Sequence, residues 1–155
     1  GCQTIATPGV TPDPGPFPGL DSHYDARWYG PWVGFEVVLA TEIPDGFVQR
    51  VEGFFGFEYH RVDYRAQADW NLRGDLAHPN SFRHRADGVG YVLSGGVSLF
   101  FTPRWALTTE VVYRDWSTQQ GRHRVYFADG EMIDTQLNEV NWRSVALGLG
   151  VTYRF

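Results

Sequence analysis

The residues best suited to chemistry near neutral pH are five histidines, His23, His60, His78, His84 and His123. His78, His84 and His123 fall in long polar stretches that also hold Asp75, Asp87, Asp129 and Asp134. A histidine beside a carboxylate is the smallest arrangement that makes a general base. The run from His78 to His84 also contains Ser81, but no spacing links that hydroxyl to a base. There is no HExxH pair, nucleophile elbow, P-loop or dinucleotide fingerprint. The single cysteine, Cys2, excludes a multi-thiolate zinc site. No catalytic residue, metal or cofactor is therefore predicted.

A second set of charges is more regular. Glu36, Arg50, Glu52, Glu58, Glu110, Arg114 and Arg154 stand at even positions in runs whose odd positions are apolar. Alternate side chains of a strand share a face, so these seven residues belong to one polar side of a sheet. Five runs carry the pattern, at about 28–41, 46–64, 88–102, 104–117 and 142–155. Their odd positions include Val33, Phe35, Val37 and Leu39 in the first and Val145, Leu147, Leu149, Val151, Tyr153 and Phe155 in the last. Small residues such as Gly56, Gly90, Gly96 and Gly148 share the even positions with the charges.

The connections between the runs differ in kind. Pro44-Asp45-Gly46 and Thr102-Pro103-Arg104 are tight-turn sequences. The stretches 65–87 and 118–141 are long and polar, and Asp129-Gly130 marks a hairpin within the second. Aromatics close both ends of the apolar face, with Tyr59, Tyr91 and Tyr113 at one and Phe47, Phe101, Trp105, Tyr153 and Phe155 at the other. Their spacing suits the 9–11 residues of a tilted membrane strand. The predicted fold is all-β: an antiparallel transmembrane β-barrel or barrel segment, with short turns on one side and long loops on the other. The seven charged residues then face the lumen, either as Arg–carboxylate pairs that fill it or as the lining of a small polar pore. A soluble sheet with its odd face inside is the alternative.

Composition agrees with a folded domain. The chain has 155 residues, 43% hydrophobic and 20% charged, too apolar for a disordered tail. A formal net charge of −5 argues against a nucleic-acid partner. No stretch of 18 apolar residues is present to make a transmembrane helix. Residues 1–27, with Pro8, Pro12, Pro14, Pro16 and Pro18, read as an extended tether ahead of a β-barrel domain at 28–155. Arg61, Arg65, Arg73, Arg83 and Arg85 gather in or near one long loop, where lipopolysaccharide phosphates or an acidic partner would meet them.

The closing segment Ala146–Phe155 resembles the C-terminal strand of bacterial outer-membrane β-barrels, with Leu147, Leu149, Val151, Tyr153 and Phe155 at alternate steps. In that class the strand is an address for the barrel-assembly machinery. The resemblance implies a place in the bacterial outer membrane, with its lipids and that machinery as partners. The order of hairpins from Trp28 to Phe155 is similar to the later strands of the omptin proteases. Their Asp-His pair finds its nearest counterpart in Asp75 and His78, and their paired Asp residues find none, so protease activity is not carried over. Gly1-Cys2 resembles the end of a lipoprotein signal, which makes Cys2 the lipidation candidate. Gly30-Pro31-Trp32 resembles the opening of lipocalins.

Five strands are too few for a closed barrel, since about eight is the minimum. An open sheet would also leave two edges unsatisfied in lipid. The missing strands come from a second copy, from another polypeptide, from an earlier part of a precursor, or from strands within 61–75 or 118–135, with partner chains and these internal strands favoured over the rest. The favoured function is a non-enzymatic outer-membrane barrel, structural or assembly component or small closed pore, completed by partner chains. The alternatives are a barrel enzyme, omptin-like or lipid-modifying, using Asp75, His78 and His84, and a soluble lipocalin-like ligand binder.

Overall fold

Alternating aromatic and β-branched residues favour extended backbone, and the described part of the chain is built from strands without a helix. The computed structural model describes residues 18–155. The strands are β1 (His23–Tyr29), β2 (Trp32–Glu42), β3 (Arg50–Asp69), β4 (Phe82–Phe100), β5 (Trp105–Thr118), β6 (Gly121–Tyr126), β7 (Met132–Leu137) and β8 (Asn141–Tyr153). Every pairing is antiparallel.

These eight segments make five staves. β1 and β2 both pair with β3 in one uninterrupted register, Trp28 opposite Tyr64 and Trp32 opposite His60. The ladder crosses the break at Pro31, whose carbonyl accepts the Arg61 N–H at 3.0 Å. β5 and β6 lie end to end along β4, and β8 and β7 along β5 and β6. The stretches 61–75 and 118–135, two sources considered for missing strands, therefore lengthen staves and add none. β1 starts at His23, so the sheet takes in residues 23–27, which composition assigned to the tether. Cys2, and with it the lipidation expectation, lies outside the described residues.

The turns follow their sequences. Ile43 N–H reaches the Gln49 carbonyl at 2.8 Å across the Pro44-Asp45-Gly46 connection, with Asp45 at a φ of 61°. Thr102 Oγ1 accepts the Trp105 N–H at 3.0 Å in the next short turn. At the other end β6 and β7 form the hairpin signalled by Asp129-Gly130, with Gly130 at a φ of 90°. The 70–81 loop folds against that hairpin through a Leu76–Phe127 bridge. Ser81, wholly buried, accepts the Trp70 N–H at 2.9 Å.

A β-bulge separates β5 from β6. Gly88 faces Thr118 and Arg85 faces Arg122, so two residues of β4 oppose three of the neighbouring stave. Beyond it the parity reverses: His123 and Val125, at odd positions, share a face with His84 and Phe82.

Contacts between distant staves show which way the sheet curls. Neighbouring strands lie about 4.8 Å apart, so β1 and β5 would be about 14 Å apart in a flat sheet. Yet the rings of Trp28 and Trp116 are 6.0 Å apart. His60 on β3 comes within 4.8 Å of Trp116 on β5. The even face is thus the inside of a half-barrel, and its buried residues include Val62, Tyr64, Ala66, Ala86, Val92, Phe100 and Ala106. The odd face is outside and exposed, Leu39 at 74% and Leu147 at 84%. The soluble-binder alternative required the odd aromatics inside, and they are not. The half-barrel does not close, because β8 pairs with neither β1 nor β2 among the described residues.

Candidate functional site

β3 brings two members of the predicted charge network, Arg50 and Glu52, to the inner face near the short turns. Arg50 donates to Glu42 at 3.0 Å and lies 2.7 Å from Glu52. Arg154, just past β8, donates to the other oxygen of Glu52 at 2.9 Å and lies over the Phe100 ring at 4.4 Å. Glu52 is therefore held by two guanidinium groups, Arg50 on its own strand and Arg154 from across the half-barrel. A hydroxyl chain runs beside it, Ser98 to Thr108 at 2.8 Å and Thr108 to Thr152 at 3.3 Å.

The other predicted members are more dispersed. Glu58 accepts a hydrogen bond from His60 Nε2 at 2.8 Å, with the ring taken as its Nε2–H form. Glu36 faces Gly56, and Glu110 stands between Gly96 and Gly148 on its two neighbours. Arg114 faces Val92 and Ser144. Glu36, Glu110 and Arg114 take part in no ion pair among the described residues.

Toward the long loops the inner face becomes aromatic. His60 lies between Trp32 and Trp116, and Trp28 packs on Tyr64 at 4.6 Å. Trp116 lies so close to β4 that a Cβ on Gly90 would sit 2.9 Å from its ring. Farther out, Tyr24 hydrogen-bonds both Tyr64 and His84 Nδ1, and the His84 ring packs tilted against His123 at 4.7 Å. Burial, and then the facing His123, lower the pKa of His84. Parity had marked the even positions as small and charged, and these aromatics were missed; the signal available was Trp28, Trp32, Tyr64 and Trp116 at even positions.

The histidines and acids considered for catalysis are regrouped. Asp75 is held by Arg73 through bonds of 2.8 and 2.7 Å, which pull its carboxyl down to about 2. His78 turns instead to Asp69, Nδ1 to Oδ1 at 2.6 Å. His84 lies with Tyr24 and His123. Asp75, His78 and His84 thus have three different sets of partners. No group of three or more His, Cys, Asp or Glu is placed to hold a metal ion among the described residues.

The outer face carries an apolar belt bounded by rings. Leu147, Leu149, Val151, Tyr153 and Phe155 project from β8 and its end, all exposed. Trp105 packs on Tyr153 at 4.8 Å and Phe47 on Phe101 at 5.1 Å at the short-turn end. Tyr59 packs on Tyr91 at 5.6 Å at the other. From Val51 to Tyr59 is about one tilted membrane span. Beyond it the same face turns to Arg and Asp.

The sequence model of one family, described as Protochlamydia outer membrane protein (Pom), matches residues 3–155. No curated protein and no solved structure matches the chain.

Proposed function

The chain belongs to the Protochlamydia outer membrane protein family, and on that premise we propose that it supplies five staves of a barrel completed by partner chains. It is a protein of the bacterial outer membrane. The proposed role is structural, without catalysis: a wall of a small barrel whose lumen is closed by the Arg50–Glu52–Arg154 cluster. One observation carries this reading. An exposed apolar belt faces outward while both edges of the sheet lack a partner among the described residues, and lipid does not tolerate unpaired strand edges. Glu36, Glu110 and Arg114, without ion-pair partners in the half-barrel, fit a lumen whose other wall brings opposite charges.

The odd number of staves among the described residues restricts the partner. The first and last staves run in the same direction, from the long loops to the short turns. All-antiparallel closure therefore needs an odd number of partner strands, the outermost running the opposite way. A second copy inserted the same way up would instead meet this one through parallel seams.

The test is the mass of the native particle in mild detergent, with unboiled and boiled samples compared on a gel. The expected result is a heat-modifiable particle that contains a second polypeptide chain. A heat-modifiable particle holding one chain of this sequence alone would overturn partner closure. In planar bilayers the closed lumen predicts no conducting steps from the intact particle.

A second reading, a barrel enzyme, has one contact in its favour, the Asp69–His78 pair at the long-loop end. It requires that His78→Ala abolish a hydrolytic activity of the intact particle.

A further inference from the structure

The outer face above the belt carries four arginines in register, one on each of four adjacent strands. Arg27 on β1 faces Arg65 on β3, Arg65 faces Arg85 on β4, and Arg85 faces Arg122 on β6. Side chains directly opposite have Cβ atoms about 5 Å apart, and like charges so placed repel. A sheet that keeps such a row has something anionic to set against it.

The sheet's own acids supply only part of that. Asp63 takes Arg65, at 3.3 and 2.9 Å. Asp134 takes Arg124 at 2.6 and 2.8 Å and lies 3.9 Å from Arg122. Asp25 lines the same groove, and Asp87 faces Asp63 one rung nearer the belt. Neither of these carboxylates, and neither Arg27 nor Arg85, enters an ion pair among the described residues. The row and its neighbours line an open groove of about 660 Å³, with Tyr29 and Tyr126 at its margins. The Arg65 guanidinium lies 5.1 Å from the Tyr29 ring.

We propose that this row, Arg27–Arg65–Arg85–Arg122, binds the phosphate groups of outer-leaflet lipids. Long loops lie on the extracellular side of outer-membrane barrels, and the row lies on the long-loop side. Arg27 is two positions beyond Tyr29, an outward-facing aromatic of the upper margin, so a lipid whose chains lie on the belt presents its headgroup toward the groove. Guanidinium groups pair with phosphate oxygens bidentately, and a row of them suits a headgroup with a doubly charged phosphate. Of the arginines grouped by sequence, Arg65, Arg83 and Arg85 line this groove. Arg73 is tied to Asp75 in the 70–81 loop, and the fold adds Arg27 and Arg122 from other segments.

The experiment is native mass spectrometry of the intact particle in mixed micelles holding equal amounts of phosphatidic acid and phosphatidylcholine. The wild type is expected to retain phosphatidic acid over phosphatidylcholine by about tenfold or more, because each arginine close to an anionic headgroup adds to its retention. Arg27→Gln with Arg85→Gln should remove the preference, and Arg73→Gln should leave it. Equal retention of the two lipids by the wild type would overturn the proposal whether or not the variants fold. Retention of phosphatidic acid unchanged in a heat-modifiable double variant would overturn it too. Binding of inorganic phosphate without lipid preference would make this a free-anion site and reject the lipid. None of these readings depends on how the barrel is closed.

Discussion

Glu52 shows what a single inner-face carboxylate does in this sheet. It accepts from Arg154 and lies beside Arg50, and its side chain is 14% exposed against 51% for Arg154. Removing the acid leaves two guanidinium groups facing each other. The cost of breaking a buried pair is 3–5 kcal/mol, reduced here to about 1–3 kcal/mol because both arginines keep part of their hydration. Glu52→Gln should therefore lower the urea midpoint of the heat-modifiable band, and Arg154→Gln should lower it less, since Arg50 still neutralises Glu52. Equal midpoints in both variants and the wild type would show that the cluster contributes nothing to stability. The seven charged positions were legible in the sequence because parity alone assigns a face. Which of them touch was not, because Arg154 and Glu52 are 102 residues apart and meet only when the sheet curls.

The β5–β6 bulge is the element that sets the outer rim. Gly121 follows the extra residue, and a Cβ there would lie 2.2 Å from the Arg85 carbonyl oxygen and 2.5 Å from the Ala86 Cβ. Gly121→Ala should separate β6 from β4, at a cost of about 1–3 kcal/mol. Limited proteolysis should then cut within 121–137 faster while the membrane staves stay heat-modifiable. Unchanged cleavage would mean that β6 tolerates the side chain. The bulge also explains a limit of sequence reading. One extra residue reverses the faces, so the parity that holds through Thr118 assigns His123 and Arg122 to the wrong sides of β6. The hairpin itself was legible from Asp129-Gly130, since a Gly at positive φ is the turn's own requirement.

At the scale of the molecule, the outward belt decides how substitutions there behave. Leu149 is 74% exposed, and a surface change in water would alter stability by less than about 0.5 kcal/mol. Facing lipid, Leu149→Arg should instead cost about 1–3 kcal/mol, between the values for the interface and the midplane. The readout is the fraction of heat-modifiable protein in outer-membrane extracts. A variant that assembles as well as the wild type would contradict a lipid-facing Leu149.

The alternation of residue types determined by itself that the chain is a sheet with one apolar and one polar face, and Pro, Gly and Asp marked where staves turn. The closing run to Phe155 pointed to the outer membrane, where the family match places the protein. Inside and outside are another matter: a period of two names two faces without ordering them, and the sequence could order them only as an expectation, from the aromatics at both ends and the unequal loops. Only the curl, which brings Trp28 to Trp116 across two intervening strands, makes the even face the inner one. The arginine row has the same origin: its members lie in four strands as far apart as positions 27 and 122, and hydrogen-bond register, a property of the assembled sheet, puts them side by side.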